Sequence, residues 1–301
     1  VMGTARCDLA GGGTQNSALA FGGGPSVSNS TEEYDGSSWA SGGNLIAARL
    51  GLVGVAATVN DGLAMFGSTP SNTAATEHYN GTAWTAGGNA TTARRYAGAM
   101  GSNQASAVVA GGKTNSAVTC TEEYDGITWV NLPSLGNARE GTGGAGTVNA
   151  GAIFGGESPT LMANTEEWNC ASYNIGAWSA GPNLATARVA PIEIGTTQKA
   201  ALAVGGYASS TQYSCVEEYN GIVWSSTTAT PVVRSRTGGA GTTNDGVFGG
   251  GYINDYTSCT SHWDGTSWTA GGNIITNRNA SEFAGQTSDA VLMFGGLTGA
   301  Y

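Results

Sequence analysis

A tryptophan followed ten residues later by an arginine recurs six times along this chain. The pairs are Trp39 with Arg49, Trp84 with Arg94, Trp129 with Arg139, Trp178 with Arg188, Trp224 with Arg234, and Trp268 with Arg278. Successive tryptophans lie 45, 45, 49, 46 and 44 residues apart. A period of that length means one supersecondary unit that cannot bury its own apolar face and is copied until neighbours cover one another. The copies run unbroken over 301 residues. The expectation is therefore a single domain, 1–301, with repeats starting near 6, 49, 94, 139, 188, 234 and 278.

The stretch from Arg49 to Trp84 shows what one copy builds. Leu50 to Ala57 is a run of small apolar residues without helical period, and Asn60-Asp61-Gly62 then signals a turn. Leu63 to Gly67 reads as a short buried strand. A polar loop leads to Thr76-Glu77-His78-Tyr79, and Asn80-Gly81 turns the chain back to Trp84. Four short antiparallel strands result, a to d. The c–d turn recurs as Asp35-Gly36, Asp125-Gly126, Asn220-Gly221 and Asp264-Gly265, and reads as a two-residue hairpin with positive φ at both positions. The fourth copy has a hairpin about five residues longer, between Trp168 and Trp178.

Strand a is crowded with small residues, as in Gly143-Gly144-Ala145-Gly146 and Gly238-Gly239-Ala240-Gly241. Glycine inside a strand marks close backbone approach. The innermost strands of a β-propeller converge on an axis and meet that constraint, while bulky Tyr and Trp fit farther out where blades splay. The fold class expected is all-β, a seven-bladed propeller of four-stranded blades. There are seven a–b pairs but six c–d pairs, so the last blade is expected to lack its outer half after Gly296. Its edge would be covered by a continuation of the chain or by another subunit, or would stay open.

These units resemble kelch repeats over nearly the whole chain. Each has an arginine near strand a, a glycine doublet after strand b, and a Tyr/Trp pair such as Tyr34/Trp39, Tyr124/Trp129 or Tyr219/Trp224. The doublets are Gly22-Gly23, Gly111-Gly112, Gly155-Gly156, Gly205-Gly206, Gly249-Gly250 and Gly295-Gly296, with Gly67-Ser68 in the second copy. The uniform Thr-Glu-Glu-Tyr-Asp-Gly wording resembles kelch-like repeat proteins of marine tailed phages. That resemblance implies a non-catalytic protein of the virion surface, in an appendage, fibre or decoration. It would assemble with other virion subunits as a homo- or hetero-oligomer and contact a host-surface glycan. A secreted, extracellular adhesin or lectin-like propeller is the alternative. A galactose-oxidase-like enzyme is the least favoured, since such enzymes set two histidines and two tyrosines around copper and this chain has only His78 and His262, on different repeats.

Composition narrows the partners. Only 11% of residues are charged and the formal net charge is −10, which repels a nucleic-acid backbone and an anionic bilayer. No apolar run approaches the roughly 18 residues that span a membrane. Cys120, Cys215 and Cys259 share one repeat slot on separate copies, too far apart for disulfides, so the five cysteines are expected to be buried free thiols. No cofactor, metal site or catalytic set is read. The paired glutamates of the Glu-Glu-Tyr slot point to opposite faces of one strand and cannot act across one glycosidic bond.

Two readings of the arginines stay open. Arg6, Arg49, Arg94, Arg139, Arg188, Arg234 and Arg278 could form a ring near the axis that grips carboxylate, sulfate or phosphate groups. In some kelch domains the matching arginines bind acidic peptides at the channel mouth. Alternatively they pair with Glu32, Glu77, Glu122, Glu166 and Glu217 as structural ions. Trp39, Trp84, Trp129, Trp178, Trp224 and Trp268 are read as packing between blades, their large rings burying area and their N–H groups finding partners.

Overall fold

A computed structural model describes residues 2–171, 175–209, 211–253 and 255–297. The chain is an all-β propeller, and among the described residues there is no helix. Six sheets of four antiparallel strands follow one another, each in the order a-b-c-d. Their innermost strands are Ala10–Thr14, Val53–Ala56, Gly98–Asn103, Gly143–Thr147, Ile192–Thr197 and Gly239–Thr242. The last two strands, Asn279–Thr287 and Ala290–Leu297, form a two-stranded sheet. The blades are therefore six, not seven. The count of seven was drawn from arginine-led strand pairs, and the seventh pair makes only a hairpin.

That hairpin still closes the ring. Its inner strand packs between the inner strands of blades six and one. A backbone hydrogen bond repeats at every joint. The second residue of the turn after strand b donates its N–H to the carbonyl of the next repeat's arginine. Gly23 meets Arg49 at 2.8 Å, Gly112 meets Arg139 at 2.8 Å, and Gly251 meets Arg278 at 2.7 Å. Gly296 meets Arg6 at 2.5 Å and joins the end of the chain to its beginning.

Two doublets need moving by one residue. The positive-φ pair in the sixth blade is Gly250-Gly251, because Gly249 still belongs to strand b. In the second blade it is Phe66-Gly67. The c–d turns also differ from expectation. Tyr34 pairs with Trp39, leaving a four-residue loop, and only its glycine, Gly36, has positive φ. The aspartate side chain makes the turn instead: Asp35 Oδ1 accepts the Ser37 and Ser38 amides, each at 2.8 Å. Such Asx bonding mimics a backbone turn. The tip of the long fourth hairpin, Ser172, Tyr173 and Asn174, lies outside the described residues; its strands, Thr165–Ala171 and Ile175–Ala180, are the long part of it.

The core lies between blades. Phe21 of blade one meets Trp84 of blade two with ring centroids 4.8 Å apart, and Phe66 meets Trp129 at 5.2 Å. Phe294 of the closing hairpin meets Trp39 of blade one at 5.3 Å in the same manner. The indole N–H of each of four tryptophans reaches the threonine that opens strand c of the preceding blade. These are Trp84 to Thr31, Trp129 to Thr76, Trp178 to Thr121 and Trp224 to Thr165, at 2.8–3.0 Å. Trp84, Trp129 and Trp268 are buried, and Trp39, Trp178 and Trp224 are half-buried. The most enclosed tryptophans are Trp168 and Trp263, each 1% exposed, which occupy the tyrosine slot.

Candidate functional site at the axial mouth

The seven repeat arginines lie inside the protein. Six of them are 0–1% exposed, and Arg278 is half-buried. Five meet the glutamate at the second position of strand c. Arg6 bonds Glu32 at 3.0 Å, Arg49 bonds Glu77 at 2.8 Å and Arg139 bonds Glu166 at 2.7 Å; Arg94–Glu122 and Arg188–Glu217 are tighter contacts of the same kind. The guanidinium also takes backbone carbonyls, as Arg6 does with Gly22 and Ser30. Each glutamate in turn accepts backbone amides of the segment leading to the arginine, as Glu166 does from Gly136 and Asn137. Burial lowers the pKa of Arg6, Arg49 and Arg139, with the paired carboxylate opposing it.

What faces the axis is the residue two positions past each arginine. Asp8, Gly51, Tyr96, Gly141, Ala190, Arg236 and Ala280 all have φ between +46° and +60°. This left-handed turn lets one blade's amide reach its neighbour's carbonyl. The Gly51 N–H bonds Asp8 O at 2.9 Å, Tyr96 bonds Gly51 at 3.1 Å, and Gly141 bonds Tyr96 at 3.1 Å. Glycine takes that conformation freely, but for bulky Tyr96 and Arg236 it is strained.

Around this rim opens a cavity of about 730 Å³, with walls from most of the repeats. Its mouth carries Asp8, Tyr96, Tyr207, Arg236 and the ion pair of Lys113 with Glu140, whose Nζ and Oε1 are 2.8 Å apart. The Arg236 guanidinium lies 4.8 Å from the Tyr207 ring centre and 6.0 Å from that of Tyr252. Confinement by surrounding protein raises the Asp8 pKa against the pull of Arg236 and Arg95.

Glu193 and Glu282 also line the cavity. Glu193 is half-buried and Glu282 is exposed to the cavity's open volume, so the protein walls around that volume, rather than direct covering, disfavour their charged forms. Glu193 is pushed up to about 8, although its Oε2 accepts the Gly144 amide at 3.1 Å, and the Glu282 charge adds to the rise. Glu282 is pushed up to about 7 by desolvation and then by Asp8. The buried Asn279 beside them has an Oδ1 without a hydrogen-bond partner among the described residues. Neither glutamate was singled out from the sequence. The signal was there, since acids interrupt inner strands that elsewhere hold mostly Gly, Ala, Val or Ile.

Other expectations resolve individually. All five cysteines are free, but only Cys7 is buried; Cys120, Cys170 and Cys215 are half-buried and Cys259 is exposed. Cys120 and Cys215 lie two residues before the buried Glu122 and Glu217, and Cys259 two before Ser261. His78 serves structure, with Nε2 2.6 Å from the Tyr124 hydroxyl on the next blade. His262 is four blades away, on strand c of blade six. Among the described residues no three His, Cys, Asp or Glu side chains gather as a metal site.

Fold and cavity together define a β-propeller with a charged axial mouth. No protein-family model matches the chain, and no curated protein does. Among solved structures it is similar to YjhT, with a TM-score of 0.71 over 90% of this chain and 99% of that one, at 10% sequence identity. That likeness supports the fold alone.

Proposed function

We propose that this chain is a non-catalytic binding and assembly protein of the kelch-like propeller kind, working at a phage virion surface in an appendage, fibre or decoration. In this reading its axial mouth contacts a host-surface glycan. One observation carries the proposal. The repeat framework is nearly uniform, whereas the seven rim positions vary among Asp, Gly, Tyr, Ala and Arg, and strain is kept at Tyr96 and Arg236, which border the cavity. Strain concentrates where a site requires a residue that the backbone disfavours. Tyrosine faces can stack on sugar rings, and the carboxylates can accept sugar hydroxyls.

Binding of the purified protein to host envelope glycans tests this. Arg236→Gly and Tyr96→Gly are expected to weaken binding about tenfold or more, the loss of one or two charged or stacking contacts. Both should leave thermal stability unchanged or higher, because glycine relieves the strain. Undiminished binding by both variants would refute the axial mouth as the binding face.

A further inference from the structure

Blade six departs from blades one to five where the buried arginine meets its glutamate. In four of those blades the atom that takes the carboxylate is Nη2: that of Arg6, Arg49, Arg139 and Arg188 bonds Glu32, Glu77, Glu166 and Glu217. In blade three Arg94 uses Nη1 on Glu122. Strand c of blade six, Thr260–Trp263, carries Ser261 at that position. Ser261 opposes Phe248 of strand b as Glu122 opposes Val109, so the register is kept and the side chain alone has changed. Arg234 is 0% exposed and bonds Gly250 O through Nη1 at 2.9 Å. Among the described residues its Nη2 and Nε have no hydrogen-bond partner and no carboxylate pairs with it; only the Cys259 sulfur draws on its charge. A thiol is a weak acceptor and no replacement for a carboxylate.

The surroundings of the carboxylate have changed in step. In blades one to five the residue three before the arginine donates its N–H to the glutamate: Gly3, Ile46, Thr91, Gly136 and Ala185 all do so. In blade six that residue is Pro231, which has no N–H to give. The amide two before the arginine also donates in three blades, from Thr4, Asn137 and Thr186, and Val232 keeps an N–H there. Serine ends at the atom where glutamate has its Cγ, so the exchange takes away about the volume of a carboxylate group. The place is one layer from solvent: Ser261 is buried, while Cys259 and Val232 are exposed.

We infer that blade six binds a small monovalent anion on Arg234, the size of formate or chloride, where blades one to five place a glutamate carboxylate. A guanidinium does not shed its proton in a protein, and a buried charge without its partner is strongly destabilising, so an ion from solvent relieves a cost that no side chain meets. The other blades show that this position of the fold accommodates a carboxylate against the arginine. Arg234 Nη2 and Nε supply two charge-assisted bonds. With Pro231 in place of a donor and one guanidinium to neutralise, the site suits a single negative charge rather than sulfate or phosphate. The Arg234 carbonyl takes the Gly206 N–H at 2.7 Å, so the ion strengthens the joint between blades five and six. This goes beyond the function proposed above and does not rest on it.

Calorimetry in a buffer free of halide and carboxylate, titrated with sodium formate, is the test. The melting temperature should rise with formate and level off on a logarithmic course, by about 2 °C at roughly ten times the dissociation constant. Sodium chloride should do the same. Ser261→Glu carries its own carboxylate and should lose this component, keeping only the general effect of salt that both proteins share. Arg234→Gln, which removes the charge, should lose it too and decides the matter if Ser261→Glu fails to fold. Two results overturn the inference. One is a melting temperature of the unaltered protein that responds to formate no more than that of the variant, which would mean that water or the Cys259 thiolate satisfies Arg234. The other is an equal formate response in Ser261→Glu and the unaltered protein, which would place the ion elsewhere.

Discussion

Arg234 shows what the glutamate does for the other arginines. Ser261 occupies the glutamate position of its blade, and among the described residues Arg234 has no carboxylate partner; its Nε and Nη2 are buried without a hydrogen-bond partner there, and only the Cys259 sulfur draws on its charge. A buried charge left without its partner is strongly destabilising, more so than the intact pair. Ser261→Glu should therefore stabilise the protein by about 1 kcal/mol or more in denaturant titration, the range for a hydrogen bond to a charged group. No gain would show that Arg234 finds its partner in water. The tryptophans make the converse case. Trp84 is 6% exposed, packs on Phe21 and Tyr79, and donates to Thr31. Trp84→Ala should lose about 3–5 kcal/mol, as large aromatic deletions from cores do. A loss below about 1 kcal/mol in the same titration would place the ring outside the load of the blade interface.

At the scale of strands, the inner glycines are small because neighbouring backbones leave no room. A Cβ on Gly12 would lie 2.9 Å from Ala56 N and 3.0 Å from Ala56 O, in the adjacent blade. Those are backbone atoms and cannot swing away. Gly12→Val should thus destabilise by about 1–3 kcal/mol or more, the usual range for overpacking. Calorimetry showing an unchanged melting temperature would mean that the inner strands can spread. The crowding of strand a was legible in sequence for this reason: glycine has few other uses inside a strand. The c–d turn was misread because Asp-Gly and Asn-Gly suit both a two-residue hairpin and a longer Asx-stabilised loop. The choice depends on whether Tyr34 pairs with Trp39, which is a matter of register.

Across the whole molecule, the axial acids tie stability to pH. Folding raises the pKa of Glu193 to about 8 and of Glu282 to about 7, from an ordinary 4.5. Between these values the folded state binds more protons than the unfolded chain, so stability falls as pH rises. The melting temperature should decline from about pH 5 to about pH 8 by this linkage. The Glu193→Gln, Glu282→Gln double variant should lose that slope. Equal slopes in the two proteins would mean that the cavity solvates both carboxylates.

What the sequence determined by itself was the repeat and, through it, the architecture. A 45-residue unit with small inner residues and large outer ones closes into a propeller, and the alternation of strand and turn signals is local information. The Glu and Arg of each unit were visible as possible partners for the same reason, since they recur in step. Tertiary structure alone decided the rest. Whether seven arginine-led segments make seven blades or six plus a hairpin depends on which strands find an edge to pair with. Whether an arginine ring faces solvent or protein depends on where the backbone turns after it, and the left-handed residue at the second position beyond sends the chain to the axis while the guanidinium stays buried. The rim residues Asp8, Tyr96 and Arg236, and the cavity-lining Glu193 and Glu282, are far apart in sequence and break the repeat rather than follow it. They come together only because ring closure brings every inner strand to one axis.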